Sequence, residues 1–194
     1  MNLPHLLKGL AAGFNMGPDF TVLIGGLGLL SSPRLVAFDL NDLDQHNFPI
    51  EHDASLSRED AYFGDNYSFN SSIWNQTRSF FEKDGKTGLY TAALALANRT
   101  ADSKERNPQF VYGFREFVQR YGEMSIFIQT MGGYQNGVAR LDWVDQLFYQ
   151  ERLPYNLGWR PRAEPITVPS LGQMVFDIFS VSPDKFSEGA TIAA

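Results

Sequence analysis

The stretch Glu51-His52-Asp53-Ala54-Ser55-Leu56-Ser57-Arg58 is the densest cluster of chemically competent side chains in the chain. Glu51, His52, Asp53 and Ser55 bring oxygen and nitrogen groups into a few adjacent positions, and Phe63-Gly64-Asp65-Asn66-Tyr67-Ser68-Phe69-Asn70 continues in the same polar and aromatic character. Two readings are open. In one, Ser55 or Ser57 caps a short helix over Leu56 to Phe63, with Ser57 and Asp60 at capping-box spacing and Asp53 near the positive helix end. In the other, the segment turns helically, Glu51 and Ser55 share a face and hold a hard cation such as Mg2+, and His52 points elsewhere, free for proton transfer.

Outward from this cluster the chain reads as helices. On its N-terminal side, Pro4 to Phe14 carries Leu6, Leu7, Leu10 and Phe14 at helical spacing with a proline in the first turn. Phe20 to Leu30 is apolar nearly all round and is expected to be buried, with Gly25, Gly26 and Gly28 admitting close packing or a flat ligand. On the C-terminal side, Ser71 to Lys83 is expected to be helical with Asn70 as its cap. An alanine-rich helix follows from Thr87 to about Ser103. Pro108 to Arg120 is the next helix, and Gly122-Glu123 opens a short apolar one over Met124 to Met131. A turn over Gly132 to Gly137, a helix over Leu141 to Arg152, a proline-rich ordered loop to Ser170, a helix over Leu171 to Phe179 and a frayed tail after Ser182 complete the chain. No strand pattern persists. The expected architecture is all-α: a single irregular helical domain of about eight or nine helices, spanning residues 1–194.

The 194 residues suit one domain with a sizeable core, and an apolar fraction of 43% is ordinary for a globular chain. A net charge of −6 argues against a nucleic-acid partner, and no stretch reaches the length of a membrane span. With 16 Phe and 8 Tyr, the chain has the material for a Phe-rich core or a large apolar cavity. There is no cysteine, so disulfides and thiolate ligands within this chain are excluded. Sequons at Asn66, Asn70, Asn75 and Asn98 suggest a secreted, glycosylated surface, although neither Met1 to Gly13 nor Phe20 to Leu30 fits a standard signal peptide. Glu123, ahead of Met124, Ile126, Phe127, Ile128 and Met131, is either a dipole-favoured carboxylate at a helix start or an acid projecting into an apolar cavity, where burial would raise its pKa.

The run Glu51 to Arg58, with Gly64-Asp65-Asn66 and Phe69-Asn70, resembles the fungal haem-thiolate peroxidases, the chloroperoxidase and unspecific peroxygenase family. The resemblance continues through Glu123, Gln150-Glu151-Arg152-Leu153-Pro154, Gly158-Trp159 and Pro165-Ile166-Thr167-Val168-Pro169. It implies a chloroperoxidase-like helical domain around haem b. It also implies a Mg2+ held by the carboxylate of Glu51, the hydroxyl of Ser55 and the backbone carbonyl of His52. His52 and Glu123 would form the acid-base pair of the shorter members, using hydrogen peroxide to oxidise or oxygenate a small organic substrate. Phe63 and Phe127 would line the cofactor and substrate space.

The departure lies in the axial ligand. The family takes it from an N-terminal Pro-Cys-Pro motif, and Met1 aligns beyond the place where that motif belongs. The expectation is an N-terminally truncated chain whose full-length form is a secreted peroxidase or peroxygenase; in a degenerate relative without the thiolate, His5 or His46 would be the weakly supported substitutes as axial ligand. The alternative is a catalytically inactive helical relative that binds an apolar ligand or Mg2+ without the thiolate haem.

Overall fold

The computed structural model describes residues 1–81, 85–133 and 137–184. Seven α-helices are found among them: α1 (Leu3–Phe14), α2 (Pro18–Ser31), α3 (Ser71–Ser79), α4 (Leu89–Arg106), α5 (Phe114–Met131), α6 (Leu141–Gln150) and α7 (Val168–Ser180). Short 3₁₀ turns lie at Leu40–Leu43, Ala61–Phe63 and Tyr155–Leu157. The domain is all-α apart from a small antiparallel sheet of β1 (Lys86–Thr87), β2 (Gly132–Gly133) and β3 (Val138–Arg140), with β3 in the middle pairing Thr87 and Gly132 on either side of Ala139. The expected turn between β2 and β3 falls partly on residues 134–136, the end of the helix expected to reach Lys83 falls on 82–84, and the expected tail beyond Asp184 falls on 185–194; all three lie outside the described residues.

Local chemistry sets the helix ends. Asn70 caps α3, its Oδ1 accepting from the N–H groups of Ser72 (3.0 Å) and Ile73 (3.2 Å). Thr87, the expected cap of the alanine-rich helix, belongs instead to β1, and Thr91 takes over by accepting from the Gly88 N–H at 2.9 Å. At α7 the Thr167 and Ser170 side chains each accept from the other's backbone N–H, so that helix starts at Val168, ahead of the expected Leu171.

Three further expectations are corrected. Leu56 to Phe63 is not a helix; only Ala61–Phe63 makes a 3₁₀ turn, because the side chains of this stretch bond to other elements rather than to their own first turn. The two helices expected on either side of Gly122 are one helix, α5, which starts after Gly113 where the Glu116 carboxylate accepts the Gly113 N–H at 2.7 Å. A mid-helix glycine costs about 1 kcal/mol, and packing of α5 along α7 outweighs it. Glu123 is therefore a mid-helix residue and not a helix start. Finally, α2 is not fully buried: Val22, Leu23 and Leu30 are exposed, while the opposite face packs closely, with the Phe38 ring against Gly28 so tightly that a Cβ there would meet it at 2.7 Å.

The core falls into clusters that share α5. Tyr121, Met124 and Ile128 pack with Ala92, Leu96 and Met174 from α4 and α7. Met131 joins Trp74, Val144 and Trp159 from α3, α6 and the following loop. A parallel bridge between Met16 and Ile166, with Gly17 N–H to Ile166 carbonyl at 2.7 Å, ties α1 and α2 to the proline-rich segment and accounts for its order. The loop that carries Glu51 to Asp60 is left wedged against α3, α4 and α5.

Candidate functional site

A buried polar hub fixes that loop. Asp60 is 1% exposed; its Oδ1 accepts from the Ala54 N–H (2.9 Å), Ser103 Oγ (3.0 Å) and Arg99 (3.2 Å), and its Oδ2 from Asn107 Nδ2 (3.1 Å). Arg99, fully buried, also donates from Nε to the Ser55 carbonyl at 2.9 Å and ion-pairs with Asp102. Ala54 takes φ of 62°, a left-handed conformation that costs a non-glycine residue energy and persists only where surroundings impose it. The hydrogen bond from Ala54 to Asp60 is that imposition.

Asp53 is buried beside this hub, with Oδ1 lacking a partner and Oδ2 receiving a long bond from the Val111 N–H (3.4 Å). Burial, and then repulsion from the Asp60 carboxylate, pushes its pKa up to about 6.

His52 is turned away from the hub. Its Nδ1 lies 2.7 Å from the Asp53 carbonyl oxygen and its Nε2 lies 3.4 Å from Glu123 Oε2. A carbonyl can only accept, so Nδ1 carries a proton, and a proton on Nε2 as well suits the carboxylate opposite. Burial of the ring lowers its pKa, but the charge and hydrogen bond of Glu123 outweigh burial, and the imidazole titrates above the ordinary histidine value. The structure thus brings His52 and Glu123 together, with the ring inside and the carboxylate 57% exposed.

Glu51 is committed elsewhere. Its Oε2 accepts from the Asn47 N–H (3.0 Å) and meets His46 Nδ1 at 2.8 Å, while Oε1 accepts from Asn66 Nδ2 at 2.9 Å. The segment is not helical, so Glu51 and Ser55 do not share a helix face, and Ser55 Oγ has a long contact from the Ser57 N–H. Phe63 is exposed at the outer end of its 3₁₀ turn, under the Arg106 guanidinium, and takes no part in the cavity described next.

Between the loop and the helices lies a cavity of about 170 Å³. Trp74, Phe81, Leu96, Met124, Phe127 and Phe148 supply its apolar wall; Phe148 stacks on Trp74 at 3.8 Å between ring centres. His52, Ser55, Arg58 and Glu123 line both this cavity and a larger outer cleft of about 820 Å³, so they form the boundary between the two. Sequence reasoning found Phe127 but missed Asp60, Arg99, Arg120 and Trp74 as parts of this region. A signal existed for Arg99: it shares a helical stripe with the buried Ala92, Leu96 and Ser103, a position where an arginine needs a partner.

The model of the family described as Peroxidase, family 2, matches residues 1–164. The chain belongs to this family. Two curated relatives, each named aromatic peroxygenase, come from Cyclocybe aegerita and Coprinellus radians. The chain is 30% identical to the first over 118 residues, covering 58% of this chain and 31% of the relative. It is 32% identical to the second over 124 residues, covering 62% and 45%. It therefore spans less than half the length of either relative.

Several implications of the resemblance do not hold for these residues. No thiolate can serve haem iron, since the 194 residues contain no cysteine. Among the described residues no three or more His, Asp or Glu side chains gather where they could hold a metal ion, and the Glu51 carboxylate is engaged by Asn47, His46 and Asn66. Neither His5 nor His46 rescues the site: His5 lies exposed on α1 and His46 is paired with Glu51. The expectations of haem b and Mg2+ as cofactors, of metal binding, of peroxide and organic substrate as partners, and of haem-thiolate peroxidase or peroxygenase activity in this chain are corrected accordingly.

Proposed function

We propose that this chain is a small-molecule-binding member of the family 2 peroxidases that does not itself carry out haem-thiolate chemistry. The observation that supports this reading is the preformed cavity walled by Trp74, Phe81, Phe127 and Phe148, with the His52–Glu123 pair at its boundary. Its volume of about 170 Å³ is close to that of an apolar cavity known to admit benzene, about 150 Å³. The ligand is thus a molecule with a body of one aromatic ring or a short alkyl chain. Burying about 150 Å² of ring surface at ~25 cal/mol/Å² contributes about 4 kcal/mol, which corresponds to a dissociation constant near 1 mM.

Toluene and phenol test the reading. Binding to the folded state alone raises the melting temperature in proportion to ligand saturation. Both compounds should raise it and perturb the fluorescence of Trp74, and a filled cavity in Leu96→Phe should abolish both effects. Melting curves and emission spectra indifferent to saturating toluene and phenol would end the proposal.

A further inference from the structure

The cavity wall contains a buried cation without a counter-ion. Arg120 is 2% exposed. Its two terminal nitrogens donate to Thr100 Oγ1 and to the Leu96 carbonyl, and its guanidinium stands 5.4 Å from the Tyr112 ring centre. All of these partners are neutral. Its Nε–H has no acceptor, and among the described residues no carboxylate forms an ion pair with it. The contrast with Arg99, equally buried in the preceding helix and paired with both Asp60 and Asp102, is direct. A guanidinium stays charged at every ordinary pH, and burying one without an anion is costly.

A second donor shares the deficit. Trp74 is fully buried and its Nε1–H also lacks an acceptor. Among the described residues, Trp74 Nε1 and Arg120 Nε are the buried side-chain N–H groups left unpaired, and both residues line the same cavity. Arg58, on the boundary, bonds through its guanidinium to the Tyr67 carbonyl and Ser57 Oγ, again neutral groups. The cavity wall therefore holds surplus positive charge and two unused donors buried within it, in a chain whose net charge of −6 leaves no shortage of carboxylates.

We infer that the ligand is a monocarboxylate: an anionic head that accepts from Arg120, and from Trp74 where its second oxygen reaches, carried on a one-ring aromatic or short alkyl body packed against Phe81, Phe127 and Phe148. This rests on the ligand-binding reading above and narrows it to one chemical class. A carboxylate has acceptors and no donor when ionised, which is the complement of this wall. An alcohol or amide of the same shape carries no net charge to set against the Arg120 guanidinium.

The test compares phenylacetate with 2-phenylethanol, which differ in the head group, by isothermal titration calorimetry at fixed ionic strength near neutral pH. Phenylacetate should bind the unmodified chain at least about tenfold more tightly, the usual worth of a charge-assisted hydrogen bond in a dry site. Arg120→Met should erase that preference, and Arg120→Lys should restore part of it. Equal affinity for the two compounds, or tighter alcohol binding, in the unmodified chain overturns the carboxylate inference and leaves the cavity reading standing. Failure of both compounds to bind overturns both. Because the first comparison uses the unmodified chain, the result does not depend on Arg120→Met folding; Trp74→Phe, which keeps the ring and loses the donor, gives a second variant in which the preference should shrink.

Discussion

Nε2 of His52 stands 3.4 Å from Oε2 of Glu123, and the exposed carboxylate stabilises a proton on a ring that is itself buried. Two opposing effects meet in this pair. Desolvation disfavours the imidazolium, whereas an adjacent carboxylate and an Asp53 carbonyl on the other nitrogen favour it. The second set wins, and the ring is held partly charged at the boundary of an apolar cavity.

Glu123→Gln removes the carboxylate charge and leaves burial unopposed. The pKa of His52 should then fall from above the ordinary histidine value to below it. The sign for stability follows: a raised histidine pKa contributes stability at pH values below about 6.5, and that contribution is lost as pH rises through the folded-state pKa. The substitution should therefore lower the melting temperature at mildly acid pH and leave it nearly unchanged in alkali. Ring-proton NMR titration measures the pKa directly, and an unmoved titration curve in Glu123→Gln would disprove the coupling.

Asp53 behaves in the opposite sense. Its folded pKa of about 6 lies above the unfolded value of about 3.9, so the native state holds a proton that the unfolded chain releases. The cost of ionising it is fully present above about pH 6 and disappears as pH falls toward about 4. Asp53→Asn keeps an acceptor for the Val111 N–H and removes the charge that repels Asp60. It should stabilise the fold by about 1–3 kcal/mol at neutral pH, with the gain vanishing near pH 4. Urea unfolding at the two pH values decides it; a gain of equal size at both, or a loss at neutral pH, would exclude the repulsion as its source.

The helices were legible in the sequence because their apolar spacing and caps are local. Asn70, Pro4 and the stripe Leu6, Leu10, Phe14 each sit where the pattern put them. What failed was also physical. Gly122 read as a break, but α5 runs through it because α7 covers its face, and no local rule contains that contact. Ser57 and Asp60 have capping-box spacing, yet Asp60 is turned inward by Arg99, Ser103 and Asn107, all remote in sequence. The cluster around His52 was visible as a cluster, and Glu123 was nominated for its apolar neighbours. Asp60, Arg99 and Arg120 were not nominated, since a buried ion pair, or a buried lone charge, is written in the packing of two helices and not in either one.

Glu51 illustrates how a motif can keep its letters and change its work. Its carboxylate holds the Asn47 N–H, His46 and Asn66. Glu51→Gln replaces one acceptor oxygen with a donor facing donors and should cost about 1–3 kcal/mol. The loss should be the same in EDTA and in millimolar Mg2+, and Mg2+ should leave the melting temperature of the unmodified chain where EDTA leaves it. A Mg2+-dependent rise that Glu51→Gln abolishes would return this residue to a metal site.

The hub of Asp60 and Arg99 carries the sharpest stability prediction. Asp60→Ala leaves the buried Arg99 guanidinium with Asp102 as its remaining anion and deprives the Ala54 N–H, Ser103 and Asn107 of an acceptor. Removing one partner of a buried pair costs about 3–5 kcal/mol. Arg99→Met removes the opposite charge and also the donor that holds the Ser55 carbonyl at 2.9 Å. Each change alone should be severe. The double substitution should cost less than the sum by about 0.5–3 kcal/mol, because the second change removes a charge that the first left exposed to desolvation. The loop from Ala54 to Leu56 forms part of the cavity wall, so both single variants should also weaken ligand binding at temperatures where they remain folded. Chemical denaturation of the four proteins closes the cycle. Strict additivity would show that Asp60 and Arg99 act independently, and the loop would then have to be held in its left-handed turn at Ala54 by packing alone.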